Sequence, residues 1–268
     1  MKSYPNVRSL PPKVARHDFT ICTLVTHHDE YEAMIESFHT AGFSERNSDF
    51  LYIDNSQTNV DDGYTGLNRF LNEATGNYII IAHQDILLSF DTIEILYARI
   101  EEMNQRDPHW GILGNAGFAG LSEKYYRISD PWRMDTTIGE LPAKVKSLDE
   151  NFLVIKKEAN LALSHDLKGF HMYGADVCTI SSLLGWNAYV IDFHLYHKSA
   201  GNCNESFSRS REAFMSKYTR TLSSLYLRTT CTTMIITNNR VVNWLLNRKI
   251  IYSLKKRIEN ITAMLGRS

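Results

Sequence analysis

Gly76-Asn77-Tyr78-Ile79-Ile80-Ile81-Ala82-His83-Gln84-Asp85 is the stretch on which the reading of this chain turns. A short β-branched run after a glycine predicts a buried strand, and this one ends in a histidine, an amide and a carboxylate before apolar residues resume. In an open, mostly parallel sheet, ligands collect in the crevice beyond the carboxyl ends of the strands. A His-Gln-Asp cluster at that edge points either to a metal or polar ligand, or to a strand end whose polar residues cap the next helix.

Upstream, Phe19 to Val25 predicts a first buried strand that leads through Thr26-His27-His28 into a helix carrying Tyr31, Met34, Ile35 and Phe38 at helical spacing. Phe50 to Ile53 predicts a second strand that stops at Asp54-Asn55-Ser56, and a helix with Leu67, Phe70, Leu71 and Ala74 follows. The order is β-α-β-α-β, which implies parallel strands with right-handed crossovers and all three strand ends on one edge. Thr26, Asp54 and Asp85 are thereby expected to meet.

Downstream, Ile93, Leu96, Ile100 and Met103 predict a helix, and Trp110 to Gly114 a fourth strand. Residues 117 to 143 show no periodicity and carry Gly117, Gly120, Pro131, Gly139 and Pro142, so they read as a long binding loop with Phe118, Tyr125, Tyr126 and Trp132 on it. Two short strands flank Asp149-Glu150-Asn151. Phe170 to Asp176 opens a helix that stops at Gly185, and a strand over 186–192 leads to His194-Leu195-Tyr196-His197.

From about residue 205 the pattern is helical. Ile250, Ile251, Leu254, Ile258, Ile261 and Leu265 share one face, with Arg248, Lys249, Lys255, Lys256 and Arg257 supplying positive charge. Such a basic amphipathic helix either lies on an anionic membrane surface or packs on the domain with its lysines in water.

Composition bounds the function classes. The 268 residues, 43% hydrophobic and 22% charged, suffice for one large domain with an appendage. A net charge of -1 offers no general attraction for nucleic acid. Cys22, Cys178, Cys203 and Cys231 form no C-x-x-C pair, which argues for reduced thiols and a cytoplasmic setting. No apolar run approaches the roughly 18 residues of a membrane span, and the first residues hold no apolar signal segment. Val25-Thr26-His27-His28-Asp29 lacks the glycines of a phosphate loop, which argues against a nucleotidyltransferase or a dinucleotide-dependent dehydrogenase. No defensible acid and base pair points to glycoside hydrolysis.

Taken as an ordered set, the strand 19–25, the Asp54-Asn55-Ser56 strand end, the helix bearing Asn68, the 76–85 stretch, and the Phe170 to Asp176 helix start followed by His197 resemble the GT-A fold glycosyltransferases of family 2. Within that family the chain is similar to the subgroup of a streptomycin-biosynthesis glycosyltransferase. The resemblance spans roughly residues 18 to 215. It implies an α/β GT-A domain with a mixed sheet flanked by helices; outside it, Pro5, Pro11 and Pro12 predict an extended leader over 1–17, and the helical pattern predicts a helical C-terminal segment over 216–268.

It further implies transfer of a sugar, with inversion, from a nucleotide diphosphate sugar to a saccharide or lipid-linked acceptor, as in assembly of a bacterial surface glycan at the inner face of the membrane. Asp54 would accept hydrogen bonds from the nucleotide base, with Thr26, Asn55, Asn68, His83 and Gln84 completing the donor site. His83-Gln84-Asp85 falls on the D-x-D motif with a histidine in place of the first acid, and Asp85 with His197 would hold Mn2+ or Mg2+. Asp176 would be the catalytic base, and Trp132, Asp149, Glu150, His171 and Tyr173 would face the acceptor. A non-catalytic nucleotide-sugar or carbohydrate binding protein on the same fold is the rival reading.

Overall fold

The computed structural model describes residues 15–199, 205–222, 224–228 and 233–248. The chain divides into two compact units, residues 1–211 and 212–268.

In the first unit the elements run β1 (Phe19–Val25), α1 (His28–Thr40), β2 (Ser48–Asp54), α2 (Gly63–Glu73), β3 (Tyr78–Ala82), β4 (Ile86–Leu87), α3 (Ile93–Arg106) and β5 (Trp110–Gly114). They continue as β6 (Ala116–Phe118), β7 (Lys124–Asp130), β8 (Arg133–Ile138), β9 (Ala143–Val145), β10 (Ser147–Leu148) and β11 (Phe152–Lys156). A 3-10 turn over Lys157–Ala159 precedes α4 (Tyr173–Leu183), β12 (Asn187–Val190), β13 (Leu195–His197) and the start of α5 (Glu205–Thr221).

The main sheet has seven strands in the order β2-β1-β3-β11-β5-β12-β9. β1 runs parallel to both β2 and β3, whereas β11 enters antiparallel between β3 and β5, so the sheet is mixed. β3 and β11 are buried on both faces, and only Tyr78 at the start of β3 is half-buried. Tyr31, Met34 and Phe38 of α1 and Ile93, Leu96, Ile100 and Met103 of α3 are all buried against this sheet, as their spacing predicts. Asp62 caps α2 by accepting from the Tyr64 and Thr65 amides, and Thr65 answers with its hydroxyl on the Asp62 amide.

The segment 117–143 corrects the expected irregular loop. It forms β6, β7 and β8, which join β10, β13 and β4 in a second sheet. Most of its residues are half-buried or exposed on both faces, so the apolar alternation that marks a strand in sequence is missing. The consequence for the site is direct. β13 runs parallel to β7 and antiparallel to β4, with His197 opposite Ile86, and this pairing carries His197 to the end of β3.

In the second unit the expected all-helical segment is also corrected. After α5 comes a hairpin of β14 (Leu225–Arg228) and β15 (Thr233–Ile236), then α6 (Arg240–Leu246), capped by the Asn239 side chain. β-Branched residues at Thr233, Ile235 and Ile236 favour the strand over the helix. The basic amphipathic stretch over 249–265, the leader up to residue 14, and Cys203 and Cys231 lie outside the described residues. Cys22 and Cys178 are free thiols in the core. Among the described residues no helix is long and apolar enough to cross a membrane.

Candidate functional site

At the carboxyl end of β3 the chain turns through His83-Gln84-Asp85 into the short β4, and this turn holds the centre of the site. His197 Nε2 lies 3.4 Å from Asp85 Oδ1, and His83 Nδ1 lies 3.9 Å from the same oxygen. The three residues each offer a ligand atom, and those atoms fall within 4.8 Å of one another, the only such cluster found among the described residues. Two neutral imidazoles and one carboxylate form a donor set suited to Mn2+ or a neighbouring transition metal more than to Mg2+, which prefers oxygen alone. The donors therefore fit a divalent ion.

The electrostatics bind the cluster together. Burial would raise the Asp85 carboxyl, but the hydrogen bond and charge of His197 outweigh it and hold Asp85 well below the usual carboxylate range, with Ser199 and His83 helping. Burial would lower His197, and the hydrogen bond and charge of Asp85 raise it instead. For His83 burial wins, and its proton affinity falls despite the pull of Asp85.

Two cavities open on this turn and share His83. The smaller, about 250 Å³, is lined by Leu24, Thr26, Gln84, Asp85, Phe170 and Tyr173 among others. Gln84 closes its floor: its Oε1 accepts from the Thr26 and His27 amides at 2.7 and 3.0 Å, and its Nε2 donates to the Thr26 hydroxyl and to Glu30. The end of β1 is thereby tied to the end of β3. The larger cavity, about 740 Å³, runs from His83 and His197 past Asp149 and Glu150 to Phe118, Tyr126 and Arg133.

The residues anticipated from sequence separate into two groups. Thr26, His83, Gln84, Asp85, Asp149, Glu150, His171, Tyr173 and His197 line one or both cavities. Asp54 stands exposed at the end of β2, where it pairs with His28 at 3.3 Å; hydrogen bonds from Ser56 and the charge of His28 lower its pKa. His171 Nε2 sits 3.1 Å from the Ser206 hydroxyl, and its ring packs edge-on against Phe207.

The second group is occupied elsewhere. Asn55 is buried and spends its amide on the 56–61 loop, donating to Asp61 O and accepting from the Val60 and Asp61 amides. Asn68 donates to Leu163 O and accepts from Leu163 N, which staples α2 to the segment before α4. Neither lines either of these two cavities, and both are corrected from donor contacts to supports. Trp132 is 65% exposed on the turn between β7 and β8 and lines neither cavity.

Asp176 is the main correction. Its side chain is 0% exposed, and it accepts from Ser164 N at 2.8 Å and from Ser164 Oγ at 2.7 Å. A carboxylate sealed in this way does not reach an acceptor hydroxyl; it anchors the 161–164 segment to the first turn of α4, where the helix dipole favours it. Asp176→Asn is expected to lower stability by about 1–3 kcal/mol through the broken buried pair, and to leave kcat of the folded protein within a few-fold of the parent. Chemical denaturation together with a rate assay on the folded fraction checks this.

The carboxyl groups that do face the large cavity are Asp149 and Glu150. Glu150 Oε1 accepts from Gly174 N at 3.0 Å, so it serves the start of α4, where Met172 is left-handed and supplies no side-chain cap. Burial pushes the Glu150 carboxyl up to about 8, opposed by the Gly174 amide and reinforced by Asp149. A side chain at 174 would place its Cβ 2.5 Å from Leu148 O and 2.9 Å from Glu150 Cγ, which explains the glycine. Asp149 is exposed, with Oδ1 accepting from the Asn151 amide at 3.1 Å. Ser199 and Phe207 also line it and were not anticipated, whereas Tyr126 and Arg133 fall in the stretch read as a binding loop, with Tyr126 among the aromatics named on it.

A Ser129-His194-Asp135 arrangement also occurs, with Ser129 Oγ 2.8 Å from His194 Nε2 and Asp135 Oδ1 3.8 Å from His194 Nδ1. Ser129 is 0% exposed and its hydroxyl also accepts from Asp135 N, so this group closes the second sheet and is no nucleophile.

No protein-family model matches the chain. In fold the chain is similar to a mannosyltransferase from Pyrobaculum calidifontis solved with GDP-Man and Mn2+, at a TM-score of 0.52 and 12% identity, covering 79% of this chain and 66% of that one. The chain thus spans just under two thirds of that protein's length. A structure of S. aureus TarS with UDP matches at a TM-score of 0.49 and 10% identity, over 68% of this chain and 60% of that one. At 12% identity the likeness to the mannosyltransferase is one of fold alone, a mixed sheet flanked by helices of the GT-A type. By sequence the chain is 35% identical over 208 residues, 75% of its own length and 84% of the relative's, to a Fuscovulum blasticum protein called ATP synthase subunits region ORF 6. The chain belongs to the family of that Fuscovulum protein, and it carries this family's sequence on a glycosyltransferase fold.

Proposed function

We propose that this protein transfers a sugar from a nucleotide diphosphate sugar to an acceptor hydroxyl. The observation that carries the reading is the His83, Asp85 and His197 cluster at the carboxyl edge of the sheet, opening on one small and one large cavity. The fold shared with a mannosyltransferase that was solved with GDP-Man and Mn2+ supports the same donor class and metal.

The nucleotide would lie along the ends of β1 and β2, with Asp54 accepting from the base and the Thr26 and Gln84 corner fixing the floor. His83, Asp85 and His197 would hold a divalent ion, which when bound supplies positive charge to the leaving diphosphate. The acceptor would enter the large cavity between Tyr126, Phe118 and Phe170, whose flat apolar faces suit a sugar ring.

Asp149 would act as general base. Glu150 is pushed up to about 8 and holds its proton at neutral pH, whereas Asp149 is the exposed carboxylate beside the cluster. As the acceptor oxygen attacks the anomeric carbon in line, its proton passes to Asp149, the new C–O bond forms, and the bond to the diphosphate oxygen breaks. In-line displacement inverts the anomeric centre.

A lipid-linked acceptor at the inner face of a bacterial membrane, in surface glycan assembly, is the biological setting we propose. The basic amphipathic pattern over 248–265 supports it.

The test is release of nucleotide diphosphate from a panel of UDP-, GDP- and dTDP-sugars, each with Mn2+, Mg2+ or chelator. Turnover of one donor class, faster with Mn2+ than with Mg2+ and abolished by chelator, is expected. Tight nucleotide-sugar binding with no turnover under any condition would favour a binding protein on this fold.

A further inference from the structure

Tyr173 lies at the first position of α4 and is 4% exposed. Its Oη is 2.7 Å from His83 Nε2 and 3.4 Å from the carbonyl oxygen of Glu150. A phenol has one proton to donate, and a carbonyl can only accept. The Glu150 carbonyl can take the phenol proton, which leaves the Tyr173 oxygen able to accept at 2.7 Å. For Nδ1 to stay bare toward Asp85, His83 Nε2 carries the hydrogen that this oxygen accepts. Neutral imidazole has one N–H, so the other nitrogen, Nδ1, is bare, and Nδ1 is the atom turned toward Asp85.

We infer that Tyr173 is a positioning residue, one that fixes His83 in the Nε2–H tautomer with Nδ1 open as a metal ligand. The inference rests on the metal-site reading above. It explains how a histidine can stand in the D-x-D turn: a carboxylate offers oxygens from any rotation, whereas an imidazole must be held in one tautomer and one orientation.

The surroundings are built to keep the phenol in place. Gly63 lies against its ring, and a Cβ there would come within 2.8 Å of Tyr173 Cδ1. The His83 amide donates to Asn151 O at 2.9 Å, so the backbone on both sides of the contact is also tied to the Asp149-Asn151 turn.

Tyr173→Phe removes the acceptor for His83 Nε2 and leaves the ring that packs on Gly63. The experiment has two readouts, both taken at pH 8. Long-range proton–nitrogen correlation spectra of metal-free, histidine-labelled protein report the tautomer of His83, assigned with His83→Gln. Titration with Mn2+, followed by the loss of free-ion paramagnetic resonance signal, reports affinity.

The parent is expected to show the Nε2–H tautomer, and the Phe variant, still folded at 25 °C, a mixture of tautomers with Mn2+ binding weakened 10- to 100-fold. A parent in the Nδ1–H tautomer overturns the inference, as does a Phe variant with the parent's tautomer and affinity. Failure of the underlying reading looks different: the parent then binds no Mn2+ whichever tautomer it carries, and the positioning role falls with it.

Discussion

Asp85→Ala is expected to reduce kcat/KM by roughly 10³-fold or more, since it removes the only carboxylate of the cluster and with it several kcal/mol of charge stabilisation on the leaving diphosphate. The loss reaches beyond one ligand. His197 is 8% exposed and draws its hydrogen bond and charge compensation from Asp85, so the variant leaves a nearly buried imidazole whose Nε2 keeps the Ser199 hydroxyl at 3.3 Å. The backbone of the turn should persist, because Lys198 N still donates to the carbonyl of residue 85 and His83 N to Asn151 O. Mn2+ affinity and steady-state rates, measured on the same preparation, check this. A variant with unchanged Mn2+ affinity would remove Asp85 from the centre of the account.

Asp149→Asn carries the second large effect. An amide keeps the shape and still accepts from the Asn151 amide, yet it cannot take a proton. The expected result is a fall in kcat of about 10² to 10⁴-fold, with Mn2+ and nucleotide binding retained. Glu150→Gln is the contrast. Its carboxyl already sits on Gly174 N, and the amide oxygen can keep that bond, so a change of only a few-fold is expected. If Glu150→Gln lost the larger factor and Asp149→Asn the smaller, the base would be Glu150.

The fold was largely legible because its first half obeys simple periods. Phe19–Val25 and Tyr78–Ala82 are apolar runs of strand length, and α3 repeats its buried residues at three and four. Parallel pairing of β1 with β2 and β3 follows from the βαβ order and places residues 26, 54 and 83 to 85 at one edge. The second sheet was not legible. Apart from the buried Ser129, β7 and β8 are half-buried to exposed and carry no apolar alternation, so the glycines and prolines around them dominate the reading.

The site divides along the same line. His83 and Asp85 are neighbours in sequence, but His197 reaches them only through the pairing of β13 with β4, which local pattern does not reveal. Asp176 was misread because a carboxylate in the first turn of a helix looks the same in sequence whether it faces a cavity or a serine. Its partner, Ser164, lies in a segment without regular structure, and only the folded chain shows that the two meet. Asn55 and Asn68 were misplaced for a related reason: asparagines near a strand end or on a site-facing helix bind ligands or staple backbone with the same atoms.

The most direct test of the central claim is calorimetric titration of UDP, GDP and dTDP into the parent protein with Mn2+, with Mg2+ and with chelator. The account predicts that one of the three nucleotides binds, more tightly with Mn2+ than with Mg2+, and that chelator abolishes the binding. Absence of binding by every nucleotide under every metal condition, or binding indifferent to chelator, would contradict it.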